Sequence, residues 1–504
     1  MLASVATFTI EGVGSREVTV EVDVRRGLPT FTLVGLPDRA IRESRERVRA
    51  AVLNSGLDFP MQRLTANLAP AHLRKAGPSF DLAIAVALLA ASGQVPPDGL
   101  AECAVCGELS LSGALRPGRG ALAAALGARE AGYRRLIVPA EDGPEAALAD
   151  SVEVLPVPSV ARLADLLHGR WAPARPCRAA PSLAPAERAD LADVRGQDDA
   201  KRALEIAAAG AHNALMVGPP GTGKTMLARR LPGILPPPSF GEALEITQVR
   251  SVAGTGDGAL ARERPFRAPH HTISPQGLVG GGSVPRPGEV TLAHRGVLFL
   301  DELAEFARAA LDALRQPLEE GRVEITRGQR TISYPARAMV VCACNPCPCG
   351  RRGGDCSCSQ GELARYERRL TGPLLDRLDV VCQVSAVPPA RLVGEAADGE
   401  PSARVRARVA AARERQRARL SGTGARCNGD MDAALTRRQV KLAPPLRARL
   451  TTLPDDALLS GRGHDRVLRV ARTIADLGGR DIVTLDDLDE ALAYRLPGAA
   501  PLAA

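Results

Sequence analysis

Three apolar runs in the middle of the chain end abruptly in polar residues. Ala214-Leu215-Met216-Val217 runs into a glycine-rich stretch, and Val297-Leu298-Phe299-Leu300 runs into Asp301 and Glu302. The third, Ala338-Met339-Val340-Val341-Cys342-Ala343-Cys344, ends at Asn345. Unbroken apolar runs of this length are the pattern of strands buried on both faces, as in a parallel sheet covered by helices. The N-terminal part reads differently. Val18 to Val24 alternates apolar and polar residues like a half-buried strand, and residues 40–53 are charged with a helical period. Asp81 to Ala91 is apolar on all sides, which predicts a buried helix, and Cys106 to Gly113 reads as a hairpin element. Trp171 to Pro185 is rich in Pro and Ala with no apolar period, so it reads as a linker. The resulting prediction is an α/β multidomain chain. It has an N-terminal α/β domain at 1–168, a linker at 169–189, an α/β core at 190–385 with a Cys-rich insert at 342–358, and a helical C-terminal domain at 386–504.

The chemistry sits at the ends of the three runs. Gly218-Pro219-Pro220-Gly221-Thr222-Gly223-Lys224-Thr225 follows the first strand and leads into a helical segment from Met226. Strand, glycine loop, helix is the context in which G-x-x-x-x-G-K-T binds phosphates: backbone N–H groups and a helix N-terminus face the anion. Lys224 is then expected at the β- and γ-phosphates of ATP, and the Thr225 hydroxyl on Mg2+. Asp301, at the end of the second strand, is expected to hold the same Mg2+. Glu302 beside it is expected to orient and deprotonate the attacking water, a group that binding alone does not need. Asn345 closes the series as a polar amide near the γ-phosphate. An ordinary glycine turn, or a strand running into an acidic loop, accounts for any one of these features but not for all three at this spacing.

Composition adds less. The 504 residues carry 65 basic and 57 acidic side chains, a net charge of +8, which leans toward an anionic partner without naming one. Aromatic residues make up 3% of the chain, so the cores must rest on Ala, Val and Leu. The first ten residues carry no basic segment, and the longest apolar run, Leu82 to Ala91, is half a membrane span. A cytoplasmic protein without a membrane partner is expected. Of the 11 cysteines, Cys347, Cys349, Cys356 and Cys358 form two C-x-C pairs, which suit a tetrahedral Zn2+ site or a set of reduced thiols.

Further segments carry a resemblance: Phe266 to Thr272 (FRAPHHT), Gly280-Gly281-Gly282, Pro287 to His294, Leu314 to Glu319 and Asn345 to Gly350. With the three strand ends they resemble the magnesium-chelatase-like AAA+ ATPases of the YifB/ComM family over nearly the whole chain. The resemblance implies a hexameric ring ATPase acting on single-stranded or branched DNA, and branch migration of recombination intermediates in natural transformation. Gly372 to Asp379 matches the segment with the arginine finger, which makes Arg377 the group reaching a neighbouring subunit's γ-phosphate; a surface pair with Asp376 or Asp379 is its plain alternative. Arg466 and Arg469 both fit the sensor-2 arginine, Arg466 the better, and Arg472 could face solvent. Val323 to Tyr334 reads as a β-hairpin with Arg327 and Arg330 at its tip, expected to grip DNA phosphates in a ring pore; the glycine-rich loop at 277–288 is a second candidate. Residues 75–120 are similar to the Lon protease domain, with Ser79 at the nucleophile's place. Where Lon has its lysine this chain has Arg119, which cannot act as a general base near neutral pH, so no protease activity is expected. The competing readings are a metal-insertion motor of the magnesium chelatase kind and a protein remodeller.

Overall fold

The computed structural model describes residues 1–36, 39–71, 73, 75, 78–176, 189–282, 285–327, 330–351, 356–370, 374–388, 399–453 and 461–495; for 39, 40, 78, 330 and 376 it describes the backbone alone. Two compact units are present. The first comprises Met1–Ser182, Phe240–Arg262 and Thr326–Tyr334, and the second Leu183–Ser239, Glu263–Ile325 and Pro335–Ala504.

In the first unit a seven-stranded sheet runs in the order Thr30–Val34, Arg63–Ala69, Gly14–Arg25, Leu2–Glu11, Cys103–Val105, Arg135–Pro139, Glu153–Val157. The Val18 to Val24 alternation sends Val18, Val20, Val22 and Val24 into the core. Every residue of the Asp81–Ala91 helix is buried. Its one charge, Asp81, is held by the Ser44 hydroxyl and by Arg47, whose Nε donates at 2.6 Å, as a buried carboxylate requires. Within Cys106 to Gly113, Glu108–Leu109 forms a short strand paired with Leu115–Arg116.

The second unit is built on a five-stranded parallel sheet in the order Phe266–Arg267, Val297–Leu300, Met339–Cys344, Ala214–Val217, Val380–Gln383. Val217 lies opposite Cys344 and Leu300 opposite Cys342, so the three apolar runs finish at one edge of the sheet. That carboxyl edge is where open α/β sheets bind ligands. The helices Asp198–Gly210, Lys224–Ile234, Ser402–Arg419, Gly461–Leu477 and Leu485–Ala493 share one apolar cluster with the sheet, built mostly from Ala, Val and Leu. The arginine-rich helix Ser402–Arg419 is tied inward. Arg408 pairs with Glu205 and Glu400, Arg413 donates to the Ala208 carbonyl, and Arg419 holds Asp476 through two bonds of 2.7 Å.

Candidate functional site

The loop between the Ala214–Val217 strand and the Lys224–Ile234 helix turns through Gly221 and Gly223 at φ +77° and +92°, backbone that other residues rarely adopt. A Cβ at either glycine would meet no atom within 4 Å, so their turn is set by backbone conformation rather than by crowding. Gln197 braces it, donating to the carbonyls of Thr222 (3.0 Å) and Ser385 (2.6 Å). Lys224 curls back over the loop, donating to the carbonyls of Gly218 (2.5 Å) and Pro219 (2.8 Å) and to Asn345 Oδ1 (3.2 Å). Burial pulls its ammonium below the usual lysine range, which Asp301 partly opposes. The Thr225 hydroxyl donates to Asp301 Oδ2 at 2.7 Å. A hydroxyl and a carboxylate side by side at the start of this helix are hard oxygen donors, the set that fits Mg2+.

Glu302 has a left-handed backbone, φ 52° and ψ 50°, which is uncommon away from glycine. Two bonds fix this turn: the Glu302 N–H donates to Asp301 Oδ1 at 2.9 Å, and the Glu305 N–H donates to the Glu302 carbonyl at 2.8 Å. The Glu302 carboxylate faces His271, with Oε2 3.3 Å from Nδ1. His271 follows the edge strand Phe266–Arg267, which runs parallel to Val297–Leu300 and so ends on the same side.

Arg377 is 9% exposed and pairs with Glu319 within its own chain. Gly372 and Pro373 of its segment, and the Asp376 side chain, lie outside the described residues. Asp379 is taken by other partners: His212 Nδ1, Arg466 Nε and Arg469 Nη2, each at 3.4 Å. Burial alone would raise this carboxyl, but Arg469, His212 and Arg466 outweigh it and hold it at about 2. The two arginines that fit the sensor-2 position, Arg466 the better, thus meet one carboxylate. Leaving such a buried group unpaired costs on the order of 3–5 kcal/mol. Arg472, which the sequence allowed to face solvent, is 2% exposed and bound to Asp476 at 2.9 Å. Asn213 joins this region to the sheet: its Nδ2 donates to the Arg377 carbonyl (3.3 Å), and its Oδ1 accepts from the Val340 N–H (2.8 Å).

The sulfurs of Cys347, Cys349, Cys356 and Cys358 all lie within 4.8 Å of one another. Cys347–Cys349, Cys349–Cys356 and Cys356–Cys347 are 3.3, 3.6 and 3.7 Å apart. These separations are too long for a disulfide, and a Zn–S bond of about 2.3 Å places tetrahedral sulfurs ~3.8 Å apart. Backbone N–H groups of this turn pull the Cys349 thiol down to about 5, while burial pushes Cys347 up to about 12. Cys342 and Cys344 are buried in the strand. The turn after the strand reaches the phosphate loop: a Cβ at Gly350 would stand 2.5 Å from Pro220 Cδ. Tyr366, on the helix Gln360–Leu370, donates to the Asn345 carbonyl at 2.8 Å.

Arg322–Arg327 and Arg330–Pro335 form the expected two-stranded hairpin. Arg327 is exposed; residues 328–329 and the Arg330 side chain lie outside the described residues. In the glycine-rich loop, Gly280–Gly281 pairs with Arg286–Pro287 in a second small hairpin. Ser79 lies in a one-turn helix, Pro78–Phe80, whose Ser79 carbonyl accepts from the Gly107 N–H at 3.1 Å.

A glycine loop between a buried parallel strand and a helix, with an acid pair and an amide at the ends of two neighbouring strands, defines the P-loop nucleotide-binding class. Residues 190–392 match the family described as magnesium chelatase, subunit ChlI, residues 20–142 match subunit ChlI of Mg-chelatase, and residues 399–495 match its C-terminal part. Protein Rv2897c of Mycobacterium tuberculosis is 46% identical over 97% of this chain and 98% of its own length. YifB of Escherichia coli is 44% identical over 98% and 97%, and competence protein ComM of Haemophilus influenzae is 42% identical over 98% and 97%. The chain belongs to this magnesium-chelatase-like AAA+ ATPase family of YifB and ComM proteins, which use ATP and Mg2+. Among the described residues no helix is long and apolar enough to cross a membrane.

Proposed function

We propose that this protein is a ring-forming motor that hydrolyses ATP to move along single-stranded or branched DNA, as in branch migration during recombination or natural transformation. The observation that carries the hydrolysis is the convergence at one sheet edge of Lys224 with Asn345, Thr225 with Asp301, and Glu302. The loop N–H groups and Lys224 hold the phosphates, Asn345 faces the γ-phosphate, and Glu302 takes the proton of the attacking water. Thr225 and Asp301 hold Mg2+, which when bound offsets the charge of the β- and γ-phosphate oxygens. Arg377 completes the site of a neighbouring copy, and Arg466 and Arg469 tie the C-terminal helices, read as a lid, to the segment that bears it. The first unit is read as Lon-like in fold without the protease's base, and the protein as cytoplasmic.

The DNA assignment is supported by the printed name of the ComM relative and by the Arg327–Arg330 hairpin. ATP turnover measured without DNA, with single-stranded DNA and with a four-way junction tests it. Strong stimulation, greatest with the junction, is expected; turnover indifferent to DNA would favour the metal-insertion or protein-remodelling reading that the chelatase family name allows. Replacing Arg327 and Arg330 together by alanine is expected to weaken DNA binding for all sequences alike and to flatten its salt dependence by about two phosphate contacts. A salt titration of the variant that overlays the wild type places the DNA elsewhere.

The four thiols are proposed to hold one structural Zn2+. Elemental analysis of protein purified without chelator should give one zinc per chain, and a Cys356→Ser, Cys358→Ser variant should lose it. Wild-type protein free of zinc would remove the assignment.

A further inference from the structure

Resting on the reading of Arg377 as the group that completes a neighbouring copy's site, we infer that Asn213 is its positioning residue. Asn213 fixes the turn that bears Arg377 to the strand that feeds the phosphate loop. A side chain that acts on another copy's nucleotide is aimed from outside that site, so its backbone needs a rigid support in its own chain. The turn Leu375–Arg377 is a single helical turn, closed by the Arg377 N–H donating to the Leu374 carbonyl at 2.8 Å. That bond does not relate the turn to the sheet.

Asn213 does. It stands between the helix Asp198–Gly210 and the strand Ala214–Val217, which runs straight into Gly218. Both ends of its amide are used: Nδ2 donates to the Arg377 carbonyl at 3.3 Å, and Oδ1 accepts from the Val340 N–H at 2.8 Å. Its backbone carbonyl accepts from the N–H groups of Asp379 (2.8 Å) and Val380 (3.1 Å). The residue before it reinforces the joint. His212, fully buried, places Nδ1 3.4 Å from Asp379 Oδ2 and Nε2 2.8 Å from the Thr473 hydroxyl. One amide thus ties together the arginine turn, the strand that leads to Asn345 and the strand that leads to the phosphate loop. A chain's own nucleotide loop and the arginine it presents to a neighbour are held as one piece. Asn213 touches neither phosphate nor water; it acts through Arg377.

The test locates the fault as well as its size. Asn213→Asp keeps an oxygen to accept from Val340 and puts a second acceptor where the donor to Arg377 stood, so it strikes the arginine turn. In the full chain with DNA present, Asn213→Asp and Asn213→Ala are expected to lower kcat roughly 10- to 100-fold, the scale of a catalytic group displaced by about 1 Å. Affinity for a fluorescent ATP analogue should be unchanged. An Asn213→Asp chain keeps a working Glu302 and presents a misplaced arginine. Mixing it with Glu302→Gln chains, which present an intact arginine, should therefore recover part of the turnover. Mixing it with Arg377→Ala chains should recover none. Damage confined to the chain's own site predicts no recovery in either mixture. Normal kcat in Asn213→Asp, weakened ATP binding, recovery with Arg377→Ala, or no recovery with Glu302→Gln would overturn the inference. The mixture of Arg377→Ala with Glu302→Gln is the control. If it stays silent, the reading of Arg377 fails and this inference with it. If it recovers while the Asn213→Asp mixture does not, only the positioning role fails.

Discussion

Replacing Arg377 with alanine is expected to lower ATP turnover roughly 10³- to 10⁵-fold, the contribution of an arginine finger, while each chain keeps its affinity for ATP. The guanidinium belongs to the turn Leu375–Arg377, before the strand Val380–Gln383 and remote in sequence from the phosphate loop. Its partner within the chain is Glu319, whose side chain is 47% exposed. Reach across a subunit boundary has a signature that loss of turnover alone does not. An Arg377→Ala chain retains its own Glu302, and a Glu302→Gln chain retains its own Arg377. Neither should hydrolyse ATP alone, yet a mixture should recover part of the activity, because some sites then combine an intact acid with a neighbour's intact arginine. A mixture as silent as its components would confine Arg377 to its own chain.

Glu302→Gln is expected to reduce turnover by about 10²- to 10⁴-fold, the worth of a positioned general base, with ATP and Mg2+ still bound. The reasoning is local. The proposed Mg2+ donors, Thr225 and Asp301, are linked at 2.7 Å, and Lys224 lies with Asn345; none of these contacts involves the Glu302 side chain. Glutamine preserves size and hydrogen bonding but cannot accept a proton near neutral pH. Nucleotide affinity measured by titration should match the wild type while phosphate release falls. Near-normal turnover would remove Glu302 from the chemistry.

The sequence made the sheet legible because its central strands are buried on both faces, so they appear as apolar runs whose ends mark the site. Asp301, Glu302 and Asn345 could be found because they stop those runs. The partners of these residues were hidden for a physical reason: they come from loops and helices whose spacing has no period. His271 was visible only inside a quoted motif, with nothing to say which acid it would meet. Glu319, His212 and Asn213 lie up to 261 residues from what they touch. Several of the seven arginines of residues 404–419 are tied to carboxylates and carbonyls of neighbouring helices, because a guanidinium's five donors suit inward bonding as well as solvent. Arg466 was favoured over Arg469 for one role, and in the structure both reach Asp379.

Gly350 touches Pro220 so closely that no side chain fits between them. The wall of the nucleotide loop is therefore shared with the cysteine turn, and damage to one registers in the other.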